Sequence, residues 1–347
     1  MKTVVGLGDF LASLSPQGYL RFRQAGRFDV TYTGAEANVL VSLSSFGVPT
    51  QLLTRLPQHD VADAAIDTLR RFGVGTDHIA RGGSRMGVLY LEKGASQRPS
   101  KVIYDRAGSA FCEAQSKDFD LDGVFSQAQW FHFTGITAAL SGASAELCRE
   151  SCRKAKEHGL TVSCDLNYRK NLWTTQQAKA VMSELLPYVD VLIANEEDVE
   201  KVLGIRPAGT DVERGQLNHA GYEAVARELT ETFGLQAVAT TLRESISASE
   251  NGWSALLYTQ GQSYLSRRYQ IHIVNRVGGG DSFSAGLIYG MLRALSPQDA
   301  VEFAAAASCL KHTIECDYNL VREDEVWQLV RGGEPQADAN GGVCETG

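Results

Sequence analysis

The stretch Asn275-Arg276-Val277-Gly278-Gly279-Gly280-Asp281-Ser282-Phe283-Ser284-Ala285-Gly286 carries most of what this chain says about its fold and chemistry. Three glycines lead into an apolar run that reads as a helix over Phe283 to Leu295. Glycines let a backbone approach a ligand closely, and the first amides of a helix point outward without an intrahelical partner. Those amides and the helix dipole together make a hole that suits a phosphate. A glycine turn that only starts a helix is the alternative. Asp281 reads in two ways as well. It is either a helix cap, or a base that accepts the proton of a hydroxyl attacking a phosphoryl group. Phosphoryl transfer asks for little beyond positioning, charge neutralisation and such a base. Beside a helix start the carboxylate is expected to stay ionised.

Upstream of this stretch the rhythm is strand–helix–strand. Trp130 to Phe133, Leu160 to Asp165, Val189 to Asn195 and Gln236 to Thr241 read as strands, and Ser144 to His158, Thr175 to Leu186 and Tyr222 to Phe233 as helices. Such alternation predicts an α/β domain with a mainly parallel central sheet. Thr3 to Phe10 is a buried strand entering a glycine turn. Gly34 to Phe46 and Asp60 to Phe72 are helices, each followed by a glycine, Gly47 and Gly73. Tyr19 to Arg23 and Phe28 to Tyr32 alternate apolar and polar residues, and Met86 to Glu92 and Lys101 to Arg106 read as a hairpin. These two insertions, about 10–33 and 85–108, are expected to pair into a small β-sheet lid on a domain spanning 1–331. Trp253 to Tyr258 and Tyr264 to Ile273 are further β segments, and Pro297 to Thr313 a last helix. Residues 206–220 read as a polar surface excursion and 332–347 as a flexible tail.

Composition narrows the functions. With 33 Lys+Arg against 41 Asp+Glu, the net charge is −8, which argues against bulk nucleic-acid or anionic-membrane binding. No apolar run reaches the roughly 18 residues of a membrane span. The N-terminus breaks at Gly6 and Gly8-Asp9, too early for a secretory signal, so a cytoplasmic protein is expected. The 7 cysteines are odd in number and form no C-x-x-C pair, so they read as reduced apolar side chains. His132, on an apolar strand, reads as a core histidine.

Residues 275–286 resemble the D-T-x-G-A-G-D signature of the ribokinase-like (pfkB) sugar kinases. Gly6-Leu7-Gly8-Asp9, Gly34-Ala35-Glu36-Ala37-Asn38 and the N-x-x-E-like Asn195-Glu196-Glu197-Asp198 agree with that family, in order, over about 1–330. Within it the chain is similar to members acting on 2-keto-3-deoxygluconate, through Tyr90, Tyr104-Asp105-Arg106, Asp165-Leu166-Asn167-Tyr168-Arg169 and the ending Lys311 to Leu320. The resemblance implies a three-layer α/β/α sandwich and a kinase using ATP and Mg²⁺ to phosphorylate the terminal hydroxyl, giving 2-keto-3-deoxy-6-phosphogluconate. It implies Asp281 as catalytic base. Gly34, Asn38, Tyr90, Tyr104, Arg106, Arg169, Asp281 and Asp317 are its substrate contacts. Asn195, Thr241, Arg243, Gly278, Gly279 and Gly280 are its nucleotide contacts, and Asn195 with Asp198 an indirect metal site. Arginines hold carboxylates with paired hydrogen bonds, so Arg106 and Arg169 suit a sugar acid better than a neutral sugar.

Three positions depart from the pattern. Asn275 stands for the usual Asp, which removes a charge near the phosphates. Asp198 stands for Glu and would reach a metal only through water. Residues 240–250 lack the K-x-G-x-x-G of the nucleotide loop. A kinase of a neutral ketose, or a sugar-acid sensor without activity, are the other readings. A one-faced lid sheet is expected to pair with a second copy, giving a dimer or a dimer-built homo-oligomer.

Overall fold

Strands covered on both faces must be apolar almost throughout. Thr3–Leu7 and Val191–Asn195 meet that demand most closely, and with Ala128–Thr134, Thr161–Asp165 and Ala237–Ser245 they form the middle of one sheet. A computed structural model describes residues 2–205, 219–247 and 249–332. Among these the main sheet has ten strands. Nine follow the order Gln262–Leu265, Glu250–Thr259, Ala237–Ser245, Val191–Asn195, Thr161–Asp165, Ala128–Thr134, Thr3–Leu7, Thr50–Leu53 and Val74–Gly75, and the tenth, Tyr269–His272, also pairs with Glu250–Thr259. From Ala237–Ser245 to Val74–Gly75 neighbours run parallel, and the other end is antiparallel. Alternate residues of one strand enter opposite layers. Val4 and Leu52 pack with helices Ala35–Ser45, Gly279–Leu292 and Pro297–Lys311, whereas Val5 and Leu53 pack with Gly142–Glu157, Thr175–Leu185 and His219–Phe233. The expected three-layer arrangement is therefore the one observed.

A separate four-stranded sheet has the order Asp29–Thr33, Leu11–Ser15, Val88–Glu92, Lys101–Asp105. Its inner strand differs from the expected Tyr19 to Arg23. Leu11–Ser15 pairs both neighbours, while Phe22–Gln24 is a short 3₁₀ turn. The buried Glu92 explains the difference: its carboxylate accepts from the Phe22 amide at 2.9 Å and from Arg21 Nε at 3.4 Å, which ties this segment down as a turn. Tyr264 to Ile273 is likewise two strands rather than one. Gln262–Leu265 pairs the far half of Glu250–Thr259, and Tyr269–His272 pairs its near half. Between them Ser266 Oγ accepts from the Ala255 amide at 2.9 Å.

The helix at the glycines starts at Gly279, four residues before the expected Phe283. Ser282 N already donates to Gly278 O at 2.8 Å, so the glycines form the first turn itself. Gly278 at the cap has φ 81°, the left-handed region. Helices Leu121–Ser126 and Glu323–Val330, being short, were not anticipated, whereas Glu196–Leu203 answers to the other reading of Asn195-Glu196-Glu197-Asp198, a cap with an acidic first turn. His132 is wholly buried with Nδ1 at 2.8 Å from Ser163 Oγ, and burial pushes it down to about 3, as suits a neutral core histidine. The excursion at 206–218 and the tail at 333–347 lie outside the described residues.

Candidate active site

Thr3–Leu7 lies between Thr50–Leu53 and Ala128–Thr134, so the chain builds the sheet first on one side of it and then, from Ala128, on the other. Open α/β sheets hold ligands outside the carboxyl ends of strands at such a reversal. A cavity of 1120 Å³ lies there. Asp9 follows the first strand, Asp165 and Asn167 close Thr161–Asp165, Asn195 closes Val191–Asn195, and Thr241 and Arg243 lie on Ala237–Ser245. The small sheet contributes Leu11, Leu89 and Tyr104 to one wall, and the glycine turn with Asp281 forms another.

Gly278 could not be any other residue. Its φ is positive, and a Cβ would collide with the Asp317 carbonyl. Gly280 is the opposite case, since a Cβ there would meet nothing within 4 Å and would point into open space. Gly279 N reaches Arg276 O at 3.4 Å, whereas the amides of Gly278, Gly280 and Asp281 have no backbone acceptor among the described residues. They are the outward donors that the sequence promised. Asp281 is partly open to the cavity, and its Oδ2 accepts from Asn38 Nδ2 at 2.7 Å. Burial raises its carboxyl to about 6, opposed by Asn38 and by the Arg169 charge. Desolvation outweighs the helix start, so the carboxyl lies above its ordinary value. The group is nevertheless mostly ionised at neutral pH and well matched to accepting a proton.

Three more carboxylates face the same space. Burial, with the charges of Asp198 and Asp281, lifts Asp165 to about 8. Burial also lifts Asp198 to about 6 and Asp9 to about 6. Arg169 opposes the rise at Asp165, Asp198 and Asp281, so it sits electrically at the centre of the cluster. Arg106 is buried, with Nη1 at 4.0 Å from Asp9 Oδ2 and its guanidinium 4.5 Å from the Tyr104 ring centre. Among the described residues its Nε and the Asp9 Oδ2 have no hydrogen-bond partner, a deficit unusual for buried polar atoms. Glu36 anchors the floor: its Oε1 accepts from Thr134 N, Thr134 Oγ1 and Thr137 Oγ1 at 2.9, 2.9 and 2.6 Å.

Of the expected residues, Gly34, Asn38, Tyr104, Arg106, Arg169, Asn195, Asp198, Thr241, Arg243, Gly278, Gly280 and Asp281 line this one cavity. Three do not. Tyr90 is on the other face of its strand, edge-on to Phe28 at 6.3 Å, because the pleat gives the cavity Leu89 instead. Asp317 is buried behind the glycine turn, its backbone carbonyl against Gly278. Gly279 packs against the His312 ring. Asn195 lines the cavity, but its side chain is engaged locally: Oδ1 accepts from Asp198 N at 2.8 Å, and Nδ2 donates to Asp198 Oδ2 at 3.0 Å. It caps helix Glu196–Leu203 instead of standing free as a ligand. Residues 240–250 hold no glycine loop, since the strand runs on to Ser245 and turns back antiparallel, Ser245 opposite Asn251. Asp9, Asp165, Lys201, Asn251 and Arg276 also line the cavity without having been singled out as site residues. Asp9, Asp165 and Arg276 stood inside quoted motifs, which was the available signal. Nothing in the spacing marked Lys201 and Asn251. Among the described residues no group of three or more His, Cys, Asp and Glu is arranged to hold a metal ion by itself.

A family model described as pfkB family carbohydrate kinase matches residues 3–316. A 2-dehydro-3-deoxygalactonokinase of Haloferax volcanii is 30% identical over 335 residues, covering 96% of this chain and 98% of that protein. A 2-dehydro-3-deoxygluconokinase of Thermoproteus tenax is 27% identical over 314 residues, 89% of this chain and 88% of that one. The crystal structure of 2-dehydro-3-deoxygluconokinase from Thermotoga maritima matches with TM-score 0.92 at 50% identity, covering 96% of this chain and all of that one.

Proposed function

Because this chain belongs to the pfkB family of carbohydrate kinases, we propose that it phosphorylates a six-carbon 2-keto-3-deoxy sugar acid at its terminal hydroxyl with ATP. The first candidate is 2-keto-3-deoxygluconate, also called 2-dehydro-3-deoxygluconate, the acid in the name of the 50% identical relative. The observation that carries the reading is Asp281, partly open at the cavity wall beside amides that have no backbone acceptor among the described residues, in a pocket that also holds Arg106 and Arg169. Arg106 and Arg169 take the carboxylate, which fixes the far end of the sugar. Asn38 holds the Asp281 carboxylate in place, and Asp281 accepts the proton of the attacking hydroxyl. The amides of Gly278, Gly280 and Asp281 receive the oxygens of the transferring phosphate. Lys201, Thr241, Arg243 and Arg276 line the side where the rest of a polyphosphate would lie.

Asp165 and Asp198 fit a Mg²⁺ site of the water-rich kind. Burial first, and then the charges of Asp198 and Asp281, raise the Asp165 carboxyl, so a cation between these carboxylates would favour its ionised form. The ion would neutralise charge between these carboxylates and the phosphates. Closure of the four-stranded sheet over the cavity would exclude water, protecting ATP from hydrolysis. Among the described residues no helix is long and apolar enough to cross a membrane, and a cytoplasmic place of work goes with the use of ATP.

A second reading, the galactonate-derived epimer, is favoured by the name of the Haloferax volcanii relative. A panel assay separates the readings: ADP release is followed with the two keto-deoxy acids, fructose and ribose, for wild type and Arg106→Met. One keto-deoxy acid should dominate, and the variant should raise its KM about 10- to 100-fold, the worth of a charge-assisted hydrogen bond. Fructose turned over as well as the acids, with Arg106→Met unaffected, would reject the proposal.

A further inference from the structure

Lys311 ends the helix Pro297–Lys311 and is wholly buried, a rare state for a lysine. Its Nζ donates to the backbone carbonyls of Ile314 at 3.3 Å and Asn275 at 3.4 Å. These carbonyls belong to the two segments that bracket the phosphate-facing glycines. Asn275 opens the turn that ends in Gly278–Gly280. Ile314 leads to Asp317, whose carbonyl backs onto Gly278 so closely that no Cβ fits there. A Cβ on Gly278 would also come within 3.2 Å of Lys311 Cε. The lysine stem and head therefore form the floor of the turn.

In a trans peptide the C=O and the next N–H point in opposite directions. A carbonyl drawn inward at Asn275 turns the amide of Arg276 outward, and Arg276 lines the cavity. Asn275 itself shapes the same turn, since its Oδ1 accepts from Val277 N at 2.9 Å. Being neutral, Asn275 leaves the charge of Lys311 uncancelled at this point. Burial pulls Lys311 down to about 8, and the groups whose charges reach it, Asp317, Asp281, Cys316 and Glu315, all favour its protonated form against that pull.

We propose that Lys311 is a positioning residue of the phosphate turn: an internal cation that pins the carbonyls of Asn275 and Ile314 inward, keeps the amides of Gly278, Gly280 and Asp281 aimed at the cavity, and adds positive charge behind them. The inference rests on the phosphoryl-transfer reading of this cavity and deepens it. A merely structural lysine would change stability alone. A positioning lysine changes the chemical step while leaving sugar binding as it was.

The test uses the full chain with Lys311→Met, which keeps the stem and removes the charge, and Lys311→Ala, which leaves room for an added amine. Steady-state ADP release, sugar-acid binding by calorimetry, and amide hydrogen exchange of the segment 275–282 are measured for each. In folded Lys311→Met, kcat should fall on the order of 100-fold, comparable to the loss of one oxyanion donor. The sugar Kd should stay within about twofold, and exchange at 275–282 should speed up. Methylammonium should restore part of kcat in Lys311→Ala and not in Lys311→Met. Wild-type kcat with unchanged exchange in either variant, or no gain from methylammonium in Lys311→Ala, would overturn the proposal. Should the Met variant fail to fold, Lys311→Gln keeps a donor for the carbonyls without the charge, and wild-type kcat there overturns it equally. If wild type itself turns over no sugar acid, the kinase reading has failed, and the exchange arm alone still decides the role of Lys311.

Discussion

Asp281 shows how a single side chain acquires its chemistry from its neighbours. A carboxyl in water gives up its proton near pH 4. Here burial lifts it to about 6, while Asn38 and Arg169 keep it from rising further. A raised carboxyl is protonated, and so useless as a base, below that value. Activity should therefore rise with pH through about 6 and level off above 7. Asp281→Asn should lower kcat by about 10²- to 10⁴-fold, the usual share of a general base, with the sugar Kd little changed. A pH–rate profile of wild type and a calorimetric titration of the variant check both statements. An activity that stayed flat from pH 5 to 8 would contradict the assignment. Asp281 and Asn38 were legible in the sequence because each sits in a short local motif. The perturbed state of Asp165 was not, since it arises from burial and then from the charges of Asp198 and Asp281, contributed by other elements.

At the scale of the element, the first turn of Gly279–Leu292 combines two unlike demands on adjacent glycines. Gly278 answers to the protein, by its positive φ and the Asp317 carbonyl behind it. Gly280 answers to the cavity, since the protein leaves its Cβ position empty. Gly278→Ala should thus destabilise the fold by roughly 1–3 kcal/mol or more, read as a lower unfolding midpoint. Gly280→Ala should melt like wild type yet bind nucleotide more weakly, because the added methyl stands where phosphate oxygens approach. Equal losses of stability in both variants would show that the turn serves the fold alone. The sequence marked three glycines before a helix. It could not say which of them faced inward, as that depends on where Asp317 and His312 pack.

At the scale of the molecule, the four-stranded sheet carries Val30, Ile103 and Tyr104 at 54%, 45% and 40% exposure. Apolar side chains on a sheet this small gain from being covered. Ion pairing of Lys93 with Glu315, and the Ser96 amide donating to Ser249 Oγ at 3.2 Å, tie one end of the sheet to the main body. The remaining face is free to meet a second copy across a two-fold axis. Light scattering during size exclusion at micromolar concentration should give twice the chain mass or a multiple of it, and Ile103→Asp should shift it toward the monomer. A wild-type monomer would contradict the pairing.

What the sequence by itself determined was the strand–helix alternation, the carboxyl-end placement of the short motifs, and the pairing of a glycine-rich helix start with Asp281. These are written in periodicities of two and about 3.6 residues and in the backbone limits of glycine, all of which act within a few neighbours. Only the tertiary structure decided that Leu89, not Tyr90, faces the cavity, that Asp317 and Lys311 lie behind the turn, and that the carboxyls hold their protons above the ordinary range. A pleat shows which side is inside only once another layer covers it. Desolvation, likewise, is a sum over atoms brought together from distant parts of the chain.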